Sequence, residues 1–190
     1  HNDYKQEVPF YQAYAQQVFS IEVDLFAVDG QLLVGHDKED LSQDMTFDEL
    51  YLNPILRLYK QNRGKAWKNS KHQLQLMIEL KSPTEPTLTM VVDKLKKYPE
   101  VFDSSVNPNA VKIAITGNVP KPSEFVQYPQ FISFDGLIDE NYTPEQLQRV
   151  ALISLPLYDY AVWNGKGSFK TEEKKNVEAV IKKVQDMGKP

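Results

Sequence analysis

The spacing of apolar residues along the chain changes repeatedly between alternation and helical periodicity. Residues 20–28 (SIEVDLFAV) alternate and are rich in β-branched side chains, which predicts a strand. Asp29-Gly30 predicts a tight turn, with 31–36 (QLLVGH) as the returning strand or extended arm. Upstream, Pro9 suits a first helical turn and 9–18 reads as a short helix. A second helix is expected over 46–62, opened by Thr46 with Glu49 three residues on, and broken or kinked at Asn53-Pro54. Residues 73–81 (QLQLMIELK) form the clearest strand; Pro83 ends it, and a helix is expected to about 98. Strands at 110–116, 131–135 and 151–155 then alternate with helices near 121–127, at 143–150 and at 171–187. Strand followed by helix, with short connections, predicts a parallel α/β fold. An open doubly wound sheet and a closed barrel both satisfy that order. No glycine-rich phosphate loop follows the first strand, which counts somewhat against the open sheet.

Composition narrows the class. A length of 190 residues suits one domain, expected to span 1–190, and 41% hydrophobic with 25% charged residues is ordinary for a globular chain. The net charge of −4 offers no broad basic surface, so nucleic acid is not an expected partner. Without cysteine the chain has no disulfide, thiolate metal site or thiol nucleophile. No apolar run approaches the ~20 residues of a membrane helix, so no transmembrane segment is expected. No signal peptide is visible, but the abrupt opening at His1 leaves room for a removed one. The expected location is extracytoplasmic, periplasmic or secreted.

The chemistry concentrates at strand positions. Glu22 and Asp24 are two apart on the first predicted strand, so both side chains leave the same face. Unpaired burial of two adjacent carboxylates costs several kcal/mol. A hard divalent cation removes that conflict, as does a wet face or an edge position. In Leu76–Lys81, Glu79 and Lys81 again share a face, either as a structural ion pair or as a third ligand beside a phosphate-facing cation. His36 closes Gly35-His36-Asp37 and is either a surface histidine or an acid–base group. His72 precedes a strand, at the end opposite to catalysis in a barrel, and is assigned no role.

His1, Ile21-Glu22-Val23-Asp24, Asp29-Gly30, Gly35-His36-Asp37 and Ile78-Glu79-Leu80-Lys81 follow one another in the order and rough spacing of the glycerophosphodiester phosphodiesterases. The chain thus resembles that family, which is similar in fold and chemistry to the phosphatidylinositol-specific phospholipases C. The stretch SIEVDLFAVDGQLLVGHD is its most specific part, and the resemblance covers about residues 1–82. It implies that Glu22, Asp24 and Glu79 hold one divalent metal ion, Ca²⁺ or Mg²⁺. By the same resemblance His1 and His36 are the catalytic acid and base, and Lys81 contacts the substrate phosphate. Two departures stand out: Asn2-Asp3 occupy the place of the family's Arg-Gly, and Pro9 is followed by Phe10-Tyr11-Gln12 in place of Glu-Asn-Thr. Asn2 and Lys166 become further phosphate-binding candidates, and Trp163 a pocket residue. These departures suggest a divergent branch.

The resemblance further implies a TIM (β/α)8 barrel. A full barrel takes about 250 residues, so the last two strands are expected to be missing from this chain. The expected activity is phosphodiester hydrolysis on a glycerophosphodiester or a phosphoinositide-like lipid headgroup, in lipid metabolism. A barrel that binds a phosphorylated lipid or sugar headgroup without turnover, or a phosphomonoesterase, are the alternatives.

Overall fold

The structure, a computed structural model, describes residues 2–190. The chain divides into two compact units, 1–134 and 135–190.

In the first unit, β1 (Ser20–Val28) and β2 (Gln31–Val34) form an antiparallel hairpin in which Val28 faces Gln31. Asp29 and Gly30 have φ of 48° and 78°, the paired positive values of the two-residue turn whose twist matches the strands. β3 (Gln75–Leu80) runs parallel to β1, β4 (Lys112–Gly117) parallel to β3, and β5 (Ile132–Gly136) parallel to β4. One face of this sheet is apolar: Ile21, Val23, Leu25, Leu76, Ile78, Leu80, Ile113, Ile115, Ile132 and Phe134 are all buried. The pleat sends Glu22, Asp24 and Glu79 to the other face.

Helices occupy the connections. α1 (Tyr11–Ala15) is short, and its Tyr14 stacks on Trp67 at 5.3 Å. α2 (Asn53–Gln61) follows directly on a π-helical turn at Asp48–Leu52. The helix runs on through Asn53-Pro54, and the expected disturbance takes the form of the π-helical turn immediately before the proline, where its missing N–H is accommodated. Thr46 Oγ1 accepts the Glu49 amide at 3.2 Å, so the predicted cap precedes this composite helix. α3 (Thr84–Leu95) buries Leu88, Val91 and Leu95 and packs on β1, β2 and β3. α4 (Pro99–Phe102) leads toward β4.

The second unit contains the end of β5, α5 (Pro144–Gln148), β6 (Val150–Ile153) and α6 (Thr171–Asp186). Thr143 and Gln146 form a reciprocal cap at the start of α5. Gly136 approaches β6 so closely that a Cβ there would lie 2.7 Å from Val150.

The strand order is β2-β1-β3-β4-β5-β6, a mixed sheet with β2 antiparallel at one edge. This corrects the barrel expectation: among the described residues the sheet is open. Strand–helix alternation dictates parallel crossovers but not closure, which also needs matched strand number, tilt and stagger. The eight-strand count behind the expected continuation has no counterpart in this sheet.

Candidate active site

Parallel register assembles the site. Asp24 of β1 lies opposite Glu79 of β3, and Glu22 opposite Met77. One oxygen from each of Glu22, Asp24 and Glu79 lies within 4.8 Å of the others. At the far end of β4, Gly117 (φ +76°) permits close approach, since a Cβ there would lie 2.8 Å from Glu79 Cγ and 2.7 Å from the Leu80 carbonyl. Lys81 follows β3 directly; its amide donates to the Leu25 carbonyl at 2.9 Å, which ties it to β1. Its Nζ lies 3.0 Å from Glu79 Oε1 and 3.9 Å from Asp24 Oδ2. Burial lowers the proton affinity of this ammonium. The hydrogen bond to Glu79 and the charges of Asp24, Glu79 and Asp37 outweigh that and hold its pKa above the usual lysine value.

Three carboxylates against one lysine leave the cluster short of positive charge. Asp24 is 1% exposed. Its Oδ2 accepts from the Tyr4 hydroxyl, while its buried Oδ1 has no hydrogen-bond partner. Such an orphaned carboxylate oxygen costs free energy unless a donor or cation meets it. Burial pushes the Glu22 carboxyl above its usual range; Glu79 adds to this, and Lys81 and His36 partly oppose it. An all-oxygen donor set with one unsatisfied buried oxygen fits a hard divalent cation.

His36 stands beside this cluster at the end of the hairpin. The amide of Gly35 donates to the Asp24 carbonyl at 3.3 Å, and His36 Nδ1 lies 3.0 Å from Asp37 Oδ2. His36 remains partly exposed, so a ligand can reach its ring. His1 lies outside the described residues. Asn2 adopts a left-handed backbone, and its Oδ1 lies 2.9 Å from the Tyr4 hydroxyl oxygen. Trp163 and Lys166 belong to the second unit, where the Trp163 indole N–H donates to the Lys166 carbonyl at 3.1 Å.

Two contributors escaped sequence reasoning. Tyr4 is buried; its hydroxyl donates to Asp24 Oδ2, and Asn2 Oδ1 lies 2.9 Å from the same hydroxyl oxygen. Burial first, then Asp24, Glu79 and Glu22, hold its hydroxyl far above the usual tyrosine range, so it stays a neutral donor. Asp3, also buried, accepts the Phe10 amide at 2.6 Å and the Tyr51 hydroxyl at 3.0 Å, which anchors the segment carrying Tyr4. The signal was present as an aspartate and a tyrosine standing next to the departure from Arg-Gly.

A mostly parallel α/β sheet thus gathers three carboxylates, Glu22, Asp24 and Glu79, on one of its faces. A family model described as the AIM6-like phosphodiesterase domain matches residues 1–125, and the chain belongs to that family. It is similar to the altered inheritance of mitochondria protein 6 of Eremothecium gossypii, with 30% identity over 65% of this chain and 37% of the relative. The homologue of that protein in Arthroderma benhamiae is 33% identical over 35% of this chain and 23% of its own length. The Saccharomyces cerevisiae protein is 25% identical over 83% of this chain and 44% of its own. The chain therefore spans less than half the length of these relatives. No solved structure matches it.

Proposed function

We propose that the chain carries a metal-dependent phosphodiester hydrolase site with the two-histidine chemistry of the glycerophosphodiester phosphodiesterases and phosphatidylinositol-specific phospholipases C. The observation that carries this reading is the convergence of Glu22, Asp24 and Glu79 within 4.8 Å, with the buried Asp24 Oδ1 unsatisfied. These three would hold one Mg²⁺ or Ca²⁺. When bound, such an ion polarises a phosphate oxygen and lowers the pKa of a coordinated hydroxyl or water.

The chain's own groups do the rest. Lys81, kept charged by Glu79 and Asp24, neutralises charge developing on the phosphate oxygens. His36, partly exposed and oriented by Asp37, exchanges a proton with the leaving or attacking oxygen. His1 is its partner in the acid–base pair. Tyr4 holds Asp24 Oδ2 and so fixes the carboxylate that would offer an oxygen to the ion. The substrate class is a small phosphodiester, of which a glycerophosphodiester or a lipid headgroup is the leading candidate.

The test is hydrolysis of bis-p-nitrophenyl phosphate with Mg²⁺, Mn²⁺ or Ca²⁺, against the same reaction in EDTA and against the monoester. Turnover of the diester that needs the cation and disappears in Glu79→Gln supports the reading. Faster turnover of the monoester points to a phosphomonoesterase. Binding of phosphorylated headgroups without turnover of either ester points to a binder, which the replacement of Arg-Gly by Asn2-Asp3 favours.

A further inference from the structure

Charge is unevenly distributed along this chain. Between Glu49 and Glu79 there is no aspartate or glutamate, while Arg57, Lys60, Arg63, Lys65, Lys68 and Lys71 all fall there. With six of the 22 cationic residues and none of the 26 acidic ones, this stretch carries +6 and leaves −10 on the remainder. Arg57 is engaged by the Tyr11 ring and hydroxyl. The other five cations are exposed, and among the described residues none of them forms an ion pair. Elsewhere, Lys94, Lys96, Lys182 and Lys183 each have a carboxylate within 3 Å.

We propose that this stretch is a docking face for an anionic lipid bilayer. Its position supports that. Lys65, Lys68 and Lys71 lie in the loop that leads into the N-terminal end of β3, whereas Glu79 and Lys81 stand at the other end. Gln75 and Glu79 are roughly 13 Å apart along the strand at ~3.3 Å per residue. Lys60 and Arg63 also line a groove of about 550 Å³ with Tyr98, Val101 and Val106, large enough to seat a headgroup; Glu100 faces the same groove.

The side chains favour a bilayer over other polyanions. Tyr59, Trp67 and Leu74, the large apolar residues of this loop and its flanks, are 2%, 6% and 1% exposed. Binding to single-stranded nucleic acid uses exposed aromatic rings for stacking, and a protein interface needs apolar anchors at its centre. This loop presents neither. An anionic surface requires only unpaired lysines and arginines within a Debye length. The acidic remainder of the chain would orient the molecule with this end toward the lipid. Docked that way, the carboxylate end of the strands points away from the bilayer, which suits a water-soluble glycerophosphodiester better than an intact lipid of the same membrane.

The experiment is co-flotation of the whole chain with phosphatidylcholine vesicles, with and without about 30% phosphatidylserine, at about 50 and about 500 mM NaCl. We expect binding only to the anionic vesicles and only at low salt. Lys65→Gln/Lys68→Gln/Lys71→Gln should weaken it by about tenfold or more. Lys174→Gln/Lys175→Gln/Lys182→Gln, a matched charge loss on α6, should leave it unchanged. All six lysines are exposed, and an unchanged thermal melt of both variants verifies the fold. Equal binding to neutral vesicles, wild-type binding by the first variant, or equal loss in the second would overturn the proposal. Tighter binding to duplex DNA than to vesicles would assign the face to nucleic acid and also overturn it.

Discussion

Asp24→Asn is the most informative change to the carboxylate cluster, because its effect should reverse sign with metal. Charges within 4.8 Å of one another repel by at least about 3.5 kcal/mol at an effective dielectric constant of ~20, so removing the Asp24 charge relieves about 7 kcal/mol or more against Glu22 and Glu79. The attraction lost to Lys81 at 3.9 Å is about 4 kcal/mol on the same basis. The asparagine carbonyl still accepts from Tyr4. The difference is about 3 kcal/mol, and solvent reaching Glu79 and Lys81 reduces it to about 2 kcal/mol. In EDTA the variant should therefore melt about 4–8 °C above wild type. Adding Mg²⁺ or Ca²⁺ at about 100 times its dissociation constant stabilises the wild type by about 2.7 kcal/mol, a rise of about 5–11 °C. The variant should show almost none of that rise. Calorimetry of both proteins, with and without cation, measures all four values. A variant less stable than wild type in EDTA, or a wild type indifferent to every divalent cation, would refute the reasoning.

Three further outcomes follow from the site. Glu22 has a folded pKa above its unfolded value, so its contribution to stability is present at low pH and is lost as pH rises through the folded pKa. In EDTA, Glu22→Gln should lack that decline, as melts across the acid range would reveal. His36→Ala should lower kcat on a phosphodiester by about 100-fold while leaving the melting temperature unchanged. Tyr4→Phe removes the donor to Asp24 Oδ2; it should cost about 1–3 kcal/mol of stability and weaken metal affinity about 10–100-fold in a metal titration.

Much of the site was legible because strand periodicity is rigid. Two residues separate Glu22 from Asp24 and Glu79 from Lys81, so the faces they share followed from the pleat alone. Asp29-Gly30 announced the hairpin that delivers His36 through its own conformational demand. What could not be read was anything set by partners distant in sequence. Alternating strands and helices say nothing of whether a sheet closes on itself, and among the described residues the strand order begins at β2 and ends at β6. The in-register pairing of Asp24 with Glu79 depends on how β1 and β3 slide past one another, which the apolar face fixes only on folding. Tyr4 carried no periodic signal, since it acts from a single short turn anchored by Asp3. The unbroken helix at Pro54 depended on a π-turn that propensities do not foretell.

The central claim is that Glu22, Asp24 and Glu79 together hold one divalent cation. Mn²⁺ suits such an oxygen site and can be counted directly by the loss of its free-ion paramagnetic resonance signal. The account predicts one bound ion per chain in the wild type. It also predicts an affinity at least about 100-fold weaker when any one of the three carboxylates becomes its amide, since each supplies a charged ligand oxygen. An absence of bound Mn²⁺ in the wild type, or undiminished binding in the protein with all three changed, would contradict it.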